Sequence, residues 1–116
     1  MAYLFCGTHV IADFYGVSQT IYMKDLLNTL KESCARNRLT LVDFGTYEFD
    51  NGGFTLFFLL AESHISFHYY CEKKAAFVDV FTCGKNDPMV VLDDLKRFCK
   101  PEHINTKYIK RGTIDV

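Results

Sequence analysis

Neither sign of charge dominates this chain. Its 116 residues carry 13 lysines and arginines against 14 aspartates and glutamates, a formal net charge of −1. Without a basic excess there are few counterions to release from a phosphate backbone, which argues against a nucleic-acid binder of the electrostatic kind. No apolar run approaches the roughly 20 residues of a membrane-spanning helix, so no membrane partner is expected. The opening MAYLFCGTHV has neither a basic leader nor a long apolar stretch, so no secretory signal is expected. Repeats, low-complexity segments and linkers are missing as well, and only Pro88 and Pro101 interrupt the chain. The five cysteines (Cys6, Cys34, Cys71, Cys83, Cys99) are odd in number and lack a paired spacing. They suit reduced thiols in the cytoplasm better than a disulfide framework. What is left is 49% hydrophobic and 23% charged, the composition of one globular domain over residues 1–116 with a modest core.

Periodicity divides the chain into eight elements. Gly7–Phe14 alternates as a strand does. Ile21, Met23, Leu26, Leu27, Leu30 and Cys34 recur at helical spacing, predicting a helix to about Arg36 with Ser18 or Thr20 as its cap. Strands are expected over Leu39–Phe49, Phe54–Ala61, His64–Tyr70 and Ala75–Thr82, the first two joined by a turn at Asp50-Asn51-Gly52-Gly53. Asp87-Pro88 has the order of a helix cap followed by a first-turn proline, and that helix should end before Pro101. A strand near Ile104–Ile109 follows. The order βαββββαβ with short connections predicts an α+β two-layer sandwich, an antiparallel sheet covered on one face by two helices.

The chemistry-bearing residues concentrate between Leu60 and Gly84. Glu62, Ser63, His64, His68, Cys71, Asp79 and Cys83 fall within 22 positions. A metal centre would draw on His64, His68, Cys71 and Cys83. Four residues of strand span roughly 13 Å, however, too far for the two histidines to share one ion, so no metal is expected. A thiol nucleophile at Cys83 has no local signature here, and the plain alternative is that these are ordinary strand residues. A three-residue connection Glu72-Lys73-Lys74 would set Ser63 opposite Cys83, Ile65 opposite Phe81 and Phe67 opposite Asp79. Directly opposed Cβ atoms lie about 4.5–5.5 Å apart, so a hydroxyl at one strand's start would face a thiol at its partner's end.

Glu62-Ser63-His64-Ile65-Ser66, His68 with Glu72 four residues on, and the run Ala76 to Gly84 (AFVDVFTCG) resemble the bacterial and archaeal S-adenosylmethionine decarboxylase proenzyme family. GTHVIADFYG near the N-terminus resembles that family's opening pattern, and the resemblance extends over about Gly7 to Gly112. Members of the family cut themselves at the Glu-Ser bond, here Glu62–Ser63. The serine hydroxyl attacks the preceding carbonyl, and elimination then leaves a covalent pyruvoyl group derived from Ser63. The resemblance thus implies a β chain of residues 1–62 and an α chain of 63–116. The pyruvoyl carbonyl condenses with the substrate amine as a Schiff base and accepts electrons when carbon dioxide leaves. No soluble cofactor is implied.

By the same resemblance Ser63, His68 and Cys83 are catalytic. Thr55 and His68 assist processing, Cys83 returns a proton to the substrate carbon, and Phe49, Tyr70 and Glu72 bind substrate. Five residues of extended chain put His68 roughly 16 Å from Ser63. His68 and Thr55 are therefore expected to serve a two-fold partner's site, in a homodimer of cleaved protomers with active sites at the interface. The chain departs from the family's HTWPE at His68-Tyr69-Tyr70-Cys71-Glu72. Its Gly53-Phe54-Thr55-Leu56 carries bulk where small residues are usual, a change expected to lie in the pocket. The activity implied is decarboxylation of S-adenosylmethionine to the aminopropyl donor of spermidine synthesis. The alternatives are the same chemistry on ornithine or arginine, or an uncleaved non-catalytic homologue that regulates a partner enzyme.

Overall fold

In the computed structural model, residues 2–17 and 20–115 are described, with side chains from 7 to 112 apart from 18 and 19. The element order is β1 (Ala2–Tyr15), α1 (Met23–Arg36), β2 (Leu41–Glu48), β3 (Phe54–Leu60), β4 (His64–Tyr70), β5 (Ala75–Cys83), α2 (Pro88–Cys99) and β6 (His103–Asp115), with a 3-10 turn over Cys71–Lys73. The expected sandwich is present. Six strands form one sheet in the order β2-β3-β4-β5-β1-β6, and every neighbouring pair is antiparallel.

Strand alternation decides which face the helices cover. Phe54, Leu56, Phe58 and Leu60 of β3 are buried, as are Ile65 and Phe67 of β4, Val78 and Val80 of β5, and Val10, Ala12 and Phe14 of β1. They form one core cluster with Leu26 and Leu30 of α1 and Val91, Leu92 and Leu95 of α2. The residues between them (Phe57, Leu59, Phe77, Ile11, Tyr15) are more than a third exposed on the other face. Phe54 and Leu56 therefore correct one expectation. Their bulk goes into the core, where Phe54 stacks on Phe67 at 6.0 Å, and not into a pocket.

Helix α2 starts as its sequence predicts, with the Met89 N–H donating to Asp87 Oδ1 at 3.0 Å and Pro88 in the first turn. Helix α1 does not. Its N-cap is Tyr22, with no side-chain cap bond, so Thr20 is not the cap, and Ser18 lies outside the described residues. A tertiary contact holds this end instead: buried Ile21 donates its N–H to Tyr69 Oη at 3.4 Å. The two helices are joined through Asp94, which accepts from Ser33 Oγ at 2.5 Å and from Arg36 at 2.7 Å, with Arg97 on its other oxygen. Among the described residues no helix is long and apolar enough to cross a membrane.

β1 and β6 run longer than expected because they pair with each other, Ala2 with Asp115 through Tyr15 with His103, across an irregularity between Leu4 and Gly7. The β4–β5 register also differs from expectation. Tyr70 pairs with Ala75, Ile65 with Val80 and Ser66 with Asp79, so the connection is four residues, Cys71 to Lys74. The 3-10 turn with Lys74 in the left-handed region (φ 49°) absorbs the extra residue. The slip is one position, and Cys83 pairs with Gly7 of β1, not with Ser63.

Burial sorts the thiols. It disfavours the thiolate of Cys34 and Cys99, pushing them up from 9.0 to about 11 and about 12. The unfolded chain releases these protons near 9 while the folded chain keeps them. Their contribution to stability is therefore intact below about pH 9 and is lost as pH rises through 11 to 12. In the native protein at pH 8, a disulfide reagent is expected to modify Cys71 and Cys83, which are partly exposed, while Cys34 and Cys99 react only after denaturation. Equal rates at all four would contradict the packing described.

Candidate active site

Two clefts lie at opposite ends of β4. The first, about 190 Å³, is lined by Arg38, Leu39 and Thr40 after α1, by Leu60 to Ser63, by Cys83 at the end of β5 and by Asn86 beyond it. Its floor is the β3–β4 turn. Leu60 and Ser63 exchange backbone bonds (Leu60 N–H to Ser63 O at 3.0 Å, Ser63 N–H to Leu60 O at 3.4 Å), leaving Ala61 and Glu62 as a two-residue loop. Ala61 donates to Thr40 O at 3.0 Å, tying the turn to the chain leaving α1. Ala61 and Glu62 are exposed and Ser63 is half-buried, and none of the three adopts a left-handed backbone. The primed turns usual in two-residue hairpins need that conformation. Across the cleft, Thr82 Oγ1 donates to Asn86 O at 2.7 Å and fixes the loop that follows Cys83. Ser63 and Cys83, 20 positions apart in sequence, thus share one cleft although no ladder pair joins them.

The second cleft, about 200 Å³, is lined by Phe49, Asn51, Gly53, Tyr69, Tyr70 and Glu72. All three residues expected to bind substrate (Phe49, Tyr70, Glu72) are here. Phe49 meets Tyr47 edge-on at 5.1 Å and Tyr70 tilts against Phe77 at 5.5 Å, so each ring is braced from outside the cleft. Glu72 accepts from Asn51 Nδ2 at 2.7 Å.

Thr55 and His68 belong to neither cleft. They are a cross-strand pair whose Oγ1 and Nδ1 lie 3.1 Å apart on the open face. The seven steps along the chain from Ser63 to Tyr70 span roughly 23 Å. Within one chain the expected site residues therefore fall into separate groups. Ser63, Glu62 and Cys83 are at one end, Phe49, Tyr70 and Glu72 at the other, with Thr55 and His68 one strand step inside the second.

One further cluster escapes sequence reasoning. His9 and His64 flank β5, each opposite Phe81, and Asp79 is two residues along on the same face. His9 Nε2 bonds Asp79 Oδ1, His64 Nε2 is 3.6 Å from Asp79 Oδ2, and the His64 ring stacks on Phe57 at 5.8 Å. Arg111 Nη1 is 3.4 Å from His9 Nδ1. Arginine can only donate, so that contact assigns the ring proton to Nε2, where Asp79 accepts it. Two imidazoles and a carboxylate within 4.8 Å have the donor types of a metal site. A ligating imidazole, however, normally donates its second nitrogen's proton to an acceptor, and Arg111 offers none. The arrangement is one hydrogen bond, His9 to Asp79, with the His64 imidazole at ion-pair distance from the same carboxylate. The signal for it is present in His9 and Asp79, but only the strand order β4-β5-β1 brings them together.

Comparison with known proteins gives a consistent result. The family model for S-adenosylmethionine decarboxylase matches residues 8–112. The S-adenosylmethionine decarboxylase proenzyme of Hydrogenobaculum sp. (strain Y04AAS1) is 40% identical over 114 residues, covering 94% of this chain and 84% of that protein. The corresponding proenzyme of Thermoplasma volcanium is 38% identical over 113 residues, covering 93% and 85%. The crystal structure of the adenosylmethionine decarboxylase from Aquifex aeolicus superposes with a TM-score of 0.85 at 31% identity, covering 96% of this chain and 94% of that one.

Proposed function

Since the chain belongs to the S-adenosylmethionine decarboxylase family, we propose that it cleaves itself between Glu62 and Ser63 and then decarboxylates S-adenosylmethionine, supplying the aminopropyl donor for spermidine synthesis. The observation that carries this reading is the convergence of Ser63 and Cys83 on one cleft floored by an exposed turn.

The self-cleavage balances without an outside reagent except water. Ser63 Oγ adds to the Glu62 carbonyl, and the C–N bond gives way to a C–O ester. Loss of the Ser63 Cα proton expels Glu62 as a carboxylate, and water then replaces the nitrogen, which leaves as ammonia. Backbone bonds hold both sides of the turn in place: Ala61 to Thr40, and Ser63 O to Leu60. Chains 1–62 and 63–116 stay associated after scission because β3 remains paired to β4 and β1 to β5 and β6. When formed, the pyruvoyl group supplies the carbonyl that takes up the electron pair released with carbon dioxide. Cys83, on the same cleft, holds the proton that returns to the substrate carbon.

Recognition belongs to the second cleft. Phe49 and Tyr70 offer faces for a purine, and Glu72 offers a carboxylate to ribose hydroxyls. The separation of the clefts within one chain, and the apolar open face around Phe57, Leu59 and Phe77, support a homodimer. In it one protomer's Thr55, His68 and second cleft complete the Ser63 site of its partner. Two aromatic rings beside a single carboxylate favour a nucleoside over ornithine or arginine.

Carboxyl-labelled S-adenosylmethionine, ornithine and arginine, each incubated with the purified protein, test the assignment. Labelled carbon dioxide is expected from the first alone. Release only from a basic amino acid would move the activity to that substrate. No release, with a single uncut band on denaturing electrophoresis, would identify a non-catalytic homologue.

A further inference from the structure

We propose that Asn51 is a positioning residue for substrate: its side-chain amide clamps the Glu72 carboxylate in the orientation that accepts the ribose hydroxyls. The inference rests on the reading of Glu72 as a substrate-binding residue given above.

Asn51 sits in the turn between β2 and β3, and both ends of its amide are engaged. Its Oδ1 accepts the N–H of Gly53 at 2.9 Å, an Asx turn that fixes the amide plane. With the oxygen turned inward, Nδ2 projects outward and donates to Glu72 Oε2 at 2.7 Å. The turn itself is anchored. Phe49 donates to Gly53 O at 2.8 Å, and Gly52 takes φ +94°. A Cβ on Gly53 would lie 2.8 Å from the Tyr69 carbonyl, so only glycine lets the turn press against the end of β4. From the facing connection, the Cys71 thiol donates to the Asn51 carbonyl at 2.9 Å. The chain between β4 and β5 is thus tied to this turn at Cys71 and at Glu72 itself.

A glutamate at a loop edge would otherwise sample several rotamers and lose that freedom on binding. The clamp removes much of that cost in advance. Both contacts to the carboxylate, Asn51 Nδ2 and the longer Cys71 Sγ at 3.8 Å, fall on Oε2. Oε1, with both its lone pairs, stays available to a vicinal diol. Neutrality of the amide matters, because a carboxylate at position 51 would repel Glu72 at the same distance.

Asn51→Asp separates the clamp from the turn. Aspartate keeps the oxygen that accepts from Gly53 but turns the donor to Glu72 into a like charge. The test measures binding of 5′-methylthioadenosine and of its analogue lacking both ribose hydroxyls by calorimetry on the cleaved protein, with KM and kcat for S-adenosylmethionine alongside. Asn51→Asp is expected to weaken the ribonucleoside and raise KM about tenfold. It should leave self-cleavage complete, kcat within about twofold and the analogue's affinity unchanged. In a Glu72→Gln background the same substitution should add no loss, since the amide introduced at position 72 can donate to the carboxylate introduced at position 51. Unchanged ribonucleoside affinity, equal losses for both ligands, or no ribonucleoside binding to the wild type would overturn the role of Asn51. If binding responds as expected but no carbon dioxide is released, the decarboxylase reading fails and the role of Asn51 stands.

Discussion

Ser63→Ala is expected to leave the chain uncut, carbonyl-free and without decarboxylase activity. The wild-type protein should resolve into two fragments of about half its size on denaturing electrophoresis, one of them labelled after phenylhydrazine or borohydride treatment. The variant should give one unlabelled band. Without an electron sink the reaction falls back toward its uncatalysed rate, a loss on the order of 10⁶-fold or more. The fold should survive the change, because Ser63 closes the β3–β4 turn through its backbone N–H and carbonyl. Circular dichroism and thermal unfolding close to wild type would place the defect in chemistry. A Ser63→Ala protein that is uncut yet fully active would remove the basis of the proposal.

Cys83→Ala is expected to separate scission from turnover. If Cys83 is the acid that returns a proton to the substrate carbon, its removal leaves two fragments and a trappable carbonyl while kcat falls about 10²- to 10⁴-fold. KM should change little, since Phe49, Tyr70 and Glu72 line the other cleft. Cys83→Ser should not restore the rate, because a hydroxyl holds its proton much more tightly than a thiol. Wild-type kcat in Cys83→Ala would exclude the role, whereas failure to cleave would shift Cys83 from turnover to processing.

The departures from family pattern turn out to have different meanings once packed. Phe54 and Leu56 look like added bulk near the pocket, but strand alternation sends both under the helices. Cys71 stands where the family has proline. Here it reaches across to Asn51, and Asn51 reaches Glu72, 21 positions away. Composition cannot reveal that exchange, because it depends on two loops from different hairpins meeting at one end of the sheet. The cap of α1 is a similar case. Hydroxyls at Ser18 and Thr20 are plausible N-caps by type, yet the contact from Ile21 to Tyr69 sets the described start of the helix.

By itself the sequence determined the kinds of element and their order, the Asp87-Pro88 start of α2, the α+β class, and the clustering of hydroxyl, thiol and carboxyl side chains around Glu62-Ser63 and Cys83. These follow from side-chain periodicity and local backbone preference, which act within a few residues. Tertiary structure alone decided the β4–β5 register, the placement of β1 between β5 and β6, the His9–Asp79–His64 cluster, and the separation of the expected site into two clefts and the Thr55–His68 pair. Pairing between distant strands depends on which faces must be buried and on how each connection turns. The 3-10 turn over Cys71–Lys73, closed by left-handed Lys74, makes the connection four residues long and shifts every partner across that hairpin by one.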